Sequence, residues 1–155
     1  MKILIDFDGT CVTHAYPNIG EDIGAVPVLL ELVERGHQLI LFTMRSDIDE
    51  PNCQDESKPP YQGDYLTQAI EWFAKNNLEL YGVQKDPTQH TWTNSPKAYG
   101  ELIIDDTCLG IPLVDKKAKT WDPGWSVHHP NLPYSDRPYV DWLFVRVLLR
   151  DMKIL

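Results

Sequence analysis

Two carboxylate pairs carry the chemistry of this chain. Asp6 and Asp8 stand in "DFDGT" (Asp6–Thr10), and Asp105 and Asp106 end "ELIIDD" (Glu101–Asp106). Each pair follows directly on an apolar run. Carboxylates are costly to bury unless they are paired or bind a metal, so both are placed for chemistry where a sheet emerges. Phosphoryl transfer needs a nucleophile, neutralisation of the equatorial oxygens and a proton for the leaving group. Asp6, at a strand tip, has the chemistry of a carboxylate nucleophile. Asp8, two residues on, is placed to protonate the departing oxygen and then to deprotonate the attacking water. Gly9 permits the tight turn that would aim backbone N–H groups at a phosphate. Asp105 and Asp106, with Asp6 and the backbone carbonyl of Asp8, make an all-oxygen shell of the kind Mg²⁺ takes.

The elements that must position these groups alternate along the chain. Lys2 to Phe7 is a short apolar run suited to a strand buried on both faces. Val26 to Arg35 carries Val28, Leu29, Leu32 and Val33 on one helical face, with Gly36 placed to end it. Gln38 to Thr43 reads as a second strand. Leu66, Ala69, Ile70 and Phe73 keep helical spacing, ending near Asn76–Asn77. Leu78 to Val83 and Glu101 to Asp106 are the third and fourth strands. This order predicts an α/β fold of three layers, Rossmann-like, with a mainly parallel sheet. Sites in such sheets form beyond the carboxyl ends of the strands, where Asp6, Asp8, Thr43, Asp105 and Asp106 all fall.

Two stretches break the alternation. Ser46 to Asp64 is acidic and proline-rich, and reads as a long loop. It could act as a mobile lid or be a surface excursion. Ile111 to Tyr134 is irregular and rich in Pro, Trp and His. A last helix is expected after Ser135 or Asp136, with Pro138 in its first turn and Val140, Leu143, Phe144, Val147 and Leu148 as its buried face. The whole reads as one domain over residues 1–155.

"DFDGT", Thr43, Lys97 and "IIDD" together resemble the four motifs of the haloacid dehalogenase superfamily, in its D-x-D phosphatase branch. The resemblance runs from Met1 to about Pro112 and is strongest to small capless hydrolase-like members. It implies that Thr43 donates a hydrogen bond to a phosphoryl oxygen and that Lys97 sets a point charge beside Asp6 and the phosphate. It also implies that Asp105 is the direct Mg²⁺ ligand and Asp106 the water-mediated or lysine-pairing one. The gaps Cys11 to Ala25 and Gln84 to Pro96 are too short for a cap domain, so no large cap is expected. An acid at Asp8 fits phosphomonoester hydrolysis, in which an alkoxide must be protonated.

Plainer readings stand beside these. Lys85 also follows a strand and competes with Lys97. Arg45, just past Thr43, is a candidate substrate contact or an ordinary loop arginine. His14 and Tyr16 either overhang the site or belong to a flap packed on its own protein. Scattered cysteines do not supply a zinc loop. A non-catalytic module binding Mg²⁺ and a phospho-ligand, or a receiver-like phosphoacceptor domain, are the rival functions. The receiver reading lacks an acid at the end of the third strand.

Composition narrows the partners. The formal net charge is -9 over 155 residues, which argues against nucleic acid, since non-specific binding rests on Lys and Arg neutralising phosphates. A small phosphorylated substrate remains compatible if a cation supplies local positive charge. Three cysteines without a C-x-x-C pair read as reduced thiols in a cytoplasmic protein. The first apolar run is broken by Asp6, unlike a signal peptide. No stretch approaches membrane-spanning length. The resemblance admits a homo-oligomer.

Overall fold

The computed structural model describes residues 1–47, 63–114 and 133–155. Four short strands form a parallel sheet in the order β3-β2-β1-β4: β1 (Lys2–Ile5), β2 (Gln38–Leu41), β3 (Leu80–Val83) and β4 (Leu102–Ile104). The chain steps from β1 outward to β3, then returns to lay β4 on the other side of β1. Strand order therefore reverses at β1, and Asp6 sits at that switch point, where such sheets open a crevice. The expected α/β, Rossmann-like three-layer class is the one observed.

Alternation along the strands divides the core in two. Ile3, Ile5, Leu39, Leu41 and Ile104 face one side and pack with helices α1 (Ala25–Glu34), α2 (Tyr65–Lys75) and α3 (Trp142–Asp151). Leu4 and Ile40 face the other side, under Ala98 and Tyr81. That second layer is an irregular segment with a single 3-10 turn at Gln89–Thr91. Buried side chains replace helical hydrogen bonding there. Gln89 donates its amide to the carbonyls of Ser95 and Lys97 and accepts from the N–H of Tyr99. Asp86, buried, accepts from the Lys2 ammonium and from Thr88. Neither residues 11–25 nor residues 84–96 form a domain. Residues after β3 fold back onto Gly82, where a Cβ would come 2.6 Å from the Lys85 carbonyl.

α1 follows its sequence pattern, with Val28, Leu29 and Leu32 buried. It ends at Gly36 (φ 82°), the left-handed conformation that glycine adopts without cost. α2 buries Ala69 and Phe73, as its spacing requires. Its first turn is capped from a distance, since Asp47 accepts from both the N–H and the hydroxyl of Thr67. Asp47 and Asp64 flank a loop whose interior, and with it the lid reading, lies outside the described residues.

The last helix corrects the sequence expectation in start and in face. It begins at Trp142 with Asp141 as its cap, accepting from the N–H of Phe144. Its buried residues are Trp142, Val145 and Leu149, whereas Leu143 is 84% exposed, and Phe144, Val147 and Leu148 are also exposed. The sequence "WLFVRVLLR" is apolar nearly all round, so periodicity cannot choose a face. The choice is made by two long-range contacts. The Trp142 indole reaches the Thr10 carbonyl, and Arg146 and Arg150 pair with Glu31 on α1. A two-stranded antiparallel ribbon, β5 (Leu113–Val114) with β6 (Tyr139–Val140), precedes the helix. Among the described residues no helix is long and apolar enough to cross a membrane.

Candidate active site

Asp6 continues β1, its N–H donating to the Ile104 carbonyl at 3.0 Å, which aligns the tips of β1 and β4. Asp105 and Asp106 leave β4 at the same level. Asp6, Asp105 and Asp106 each present an oxygen within 4.8 Å of the others. Burial pushes the Asp6 carboxyl well above the usual carboxylate range, and the charges of Asp105, Asp106 and Asp8 raise it further against an opposing bond from the Phe7 N–H. Three like charges at this spacing repel, and a divalent cation relieves that repulsion. All three donors are hard carboxylate oxygens, the ligand chemistry of Mg²⁺.

Thr10 ties the two strand tips together. Its hydroxyl lies 3.3 Å from Asp6 Oδ2 as donor and accepts from the Asp106 N–H at 3.0 Å. It is fully buried. Asp105 is fixed by Thr107, whose N–H and hydroxyl both donate to Asp105 Oδ1. Thr43 sits beyond β2, buried, its hydroxyl accepting from the Arg45 N–H and retaining a hydrogen to donate. Gln84 clamps the Thr43 backbone at both N–H and carbonyl, at 3.2 and 2.6 Å. Neither Thr10 nor Gln84 had been given a role by the sequence. The hydroxyl four residues past Asp6 was a readable signal; the Gln84 clamp depends on strand order and was not.

Two expectations are corrected. Gly9 does not point its N–H at an incoming phosphate: it donates to the Val12 carbonyl at 2.7 Å, and the N–H groups of Thr10, Cys11 and Val12 all turn to Phe7. The loop closes on itself, leaving the Asp8 N–H without a partner among the described residues as the donor a phosphate would meet. Arg45 is not a substrate contact. It is 2% exposed. Its fork grips Asp8 with two bonds of 2.7 Å and also donates to the carbonyls of Pro17 and Asn18. The guanidinium lies 5.0 Å from the Phe7 ring and 5.3 Å from that of Tyr16. It is a buried strut that fastens Asp8 to the flap following the motif.

The lysines are exposed. Lys97 adjoins Ala98, which packs on Leu4 and Ile40, so it lies on the sheet face whose alternation continues into Asp6 and Asp105. It forms no ion pair with any of the three carboxylates among the described residues. Lys85 follows the outer strand β3, two strand spacings or roughly 10 Å from β1. His14 lies against Asp106, its Nε2 3.2 Å from Asp106 Oδ2.

The C-terminal segment closes the motif from the other side. Val140 N–H donates to the Gly9 carbonyl at 2.8 Å and Trp142 Nε1 to the Thr10 carbonyl at 2.6 Å. Gly9 itself takes a positive φ of 82°, and a Cβ there would come 2.3 Å from His14 Nε2 and 3.0 Å from Asp106 Cγ. Gly9→Ala is therefore expected to lose about 1–3 kcal/mol from backbone strain alone. It should also weaken divalent-cation binding by displacing His14. Thermal melts with and without Mg²⁺ check both parts, and an unchanged Mg²⁺-induced shift would show that the displacement does not reach the carboxylates.

No family model matches the sequence, and no curated protein matches it. Among solved structures, a conserved protein from Bacteroides thetaiotaomicron is similar over 98% of this chain and 91% of its own, at 31% identity and a TM-score of 0.63. The two chains belong to one family. Membership in this Bacteroides-protein family rests on shared sequence and fold across nearly the whole length.

Proposed function

We propose that the chain is a Mg²⁺-dependent phosphatase of the haloacid dehalogenase type, hydrolysing a phosphomonoester through an aspartyl-phosphate on Asp6. The observation that carries this reading is the convergence of Asp6, Asp105 and Asp106 at the switch point of the sheet, with oxygens within 4.8 Å of one another. Asp6, Asp105 and Asp106, with the Asp8 carbonyl, would hold Mg²⁺, which supplies charge neutralisation to Asp6 and to the phosphoryl oxygens. Asp6 then attacks phosphorus, and the Asp8 N–H and the Thr43 hydroxyl receive the equatorial oxygens. Lys97, on the same sheet face, adds its charge by swinging over the site. The fork occupies both Asp8 carboxylate oxygens, so one Arg45 bond must give way and the freed oxygen take up a proton from solvent, which Asp8 then passes to the leaving oxygen. Asp8 afterwards activates the water that releases phosphate. A small phosphorylated molecule is the substrate class this reading requires. The free thiols of Cys11 and Cys108 accord with a cytoplasmic setting.

The Arg45 fork also favours a second reading, a module that binds Mg²⁺ and a phospho-ligand without turnover, because an Asp8 whose two oxygens both accept from the fork has no oxygen free to carry a proton. The receiver-like alternative is weaker. The first acid after β3 is Asp86, which is buried and engaged by Lys2 and Thr88.

Turnover separates the readings. Phosphate release from p-nitrophenyl phosphate is expected to vanish with a chelator and return with Mg²⁺. Excess Ca²⁺ is expected to inhibit it, since looser coordination misplaces an in-line attack. Saturable Mg²⁺ binding with no turnover, across a panel of phosphorylated metabolites and nucleotides, would establish the module instead.

A further inference from the structure

Arg137 is a charge without a counterpart. Arg35, Arg45, Arg146 and Arg150 each meet a carboxylate, whereas Arg137 pairs with none among the described residues. Its Nε is buried and has no hydrogen-bond partner. A buried donor left unmade is costly, and native folds keep few of them without an ion, a water or a functional role to account for it. The guanidinium lies over the Tyr134 ring, its central carbon 4.9 Å from the ring centre. That contact satisfies the face of the cation and leaves its N–H edge for an acceptor.

The segment bearing Arg137 runs along the rim of the carboxylate cluster. The Tyr134 ring meets the His14 ring edge-on at 4.9 Å, and His14 Nε2 lies 3.2 Å from Asp106 Oδ2. Pro138, next after Arg137, sets its carbonyl 3.2 Å from the same Nε2, and Val140 N–H donates to the Gly9 carbonyl. Burial pushes the Tyr134 hydroxyl up, Asp8 and Asp6 add to that rise by their charge, and Arg45 and Arg137 oppose it. Tyr134 therefore stands in the field of both the acidic motif and Arg137. Arg137 is close to the site yet outside the seat of the transferred phosphoryl group, since it pairs with none of the four carboxylates there.

We propose that Arg137 is a specificity-determining residue that receives a second anionic group of the substrate, a carboxylate or a further phosphate. Resting on the phosphatase reading above, this narrows the substrate class to phosphomonoesters that carry such a group. A planar fork of donors suits either one. In a chain of formal net charge -9 a multiply charged anion is repelled in general, and a local unpaired cation is what admits it.

The test is isothermal titration calorimetry of phosphonates with the full chain in excess Mg²⁺, with circular dichroism to check folding. Alkylphosphonates of two to five carbons are each compared with the compound of the same length ending in a carboxylate, and with the one ending in a second phosphonate. The parent is expected to bind the best two-anion compound at least about tenfold more tightly than its one-anion counterpart, as a charge-assisted fork implies. The carboxylate and diphosphonate arms show which group Arg137 takes. In Arg137→Met, whose stem still covers Tyr134, the preference should fall to about twofold or less. If that variant does not fold, Arg137→Gln takes its place with the same expectation. No two-anion preference in the parent, or a full preference kept in the folded variant, overturns the role of Arg137. Phosphate release from p-nitrophenyl phosphate in that case leaves the phosphatase reading standing, so the two failures are distinct. A parent that binds no phosphonate overturns both.

Discussion

Asp6→Asn is expected to abolish phosphate release and, in the metal-free protein at neutral pH, to raise the melting temperature. The first effect follows because an amide is not a competent nucleophile for phosphorus; the loss should be several orders of magnitude in kcat, and no acid-stable phosphoenzyme should form. The second follows from the direction of the Asp6 shift. Burial and the neighbouring carboxylates raise its folded pKa well above the unfolded value. Below the unfolded value the group is protonated in both states and contributes nothing. As pH rises past that value the unfolded chain ionises first, so stability is lost up to the folded pKa and stays lost above it. Asparagine removes this penalty, and every kcal/mol recovered is worth about 2–4 °C in a chain of this size. Mg²⁺ should stabilise the parent and have little effect on the variant. Turnover retained by a folded Asp6→Asn protein would refute the covalent mechanism. A lower melting point at pH 7 without metal would show that Asp6 is not strained by its neighbours.

Arg45→Met should cause the largest loss of stability of any single replacement near the site. The parent pair is almost dry, with the Arg45 side chain 1% exposed and that of Asp8 12%. Breaking a buried pair by removing one partner typically costs about 3–5 kcal/mol, because the other charge is left uncompensated. The carbonyls of Pro17 and Asn18 lose their donors at the same time. The expected fall in melting temperature is about 6–20 °C. Lysine should not rescue it, since an ammonium cannot reproduce the two parallel bonds to Asp8. Replacing both residues, Arg45→Met with Asp8→Leu, should recover much of the loss, because an apolar pair of similar volume is often neutral. Chemical denaturation of the four proteins measures the coupling. A cost below about 1 kcal/mol for the single change would mean that water reaches the pair and that the fork is a surface contact.

β1 to β4, α1 and α2 were legible because their apolar residues repeat at a single period and end on glycine or polar stops, whereas β5 and β6 were not. The carboxylates were legible because each terminates a run that has to enter a core. Other features depended on pairing between distant parts of the chain. Arg45 reads as a loop residue until Asp8 and the flap close around it. Gly9 suits a phosphate-binding turn by type, yet its N–H is taken by Val12, three residues on. The face of α3 could not be read because leucines, valines and Phe144 lie all round it. One indole hydrogen bond and an arginine pair to α1 decide which side is buried. His14 was noticed for following the motif, but its contact with Asp106 needs β4 beside β1, which is a matter of topology.

The fastening of the motif by the far end of the chain also bears on how the protein is made. Trp142 bonds to a residue 132 positions earlier, and Pro138 to one 124 positions earlier. During synthesis the N-terminal strands emerge and begin to fold long before these partners leave the ribosome. Until Pro138 and Trp142 emerge, the nascent chain therefore carries its first acidic motif with the Thr10 carbonyl unclaimed. That loop can be fastened only once Pro138 and Trp142 have emerged.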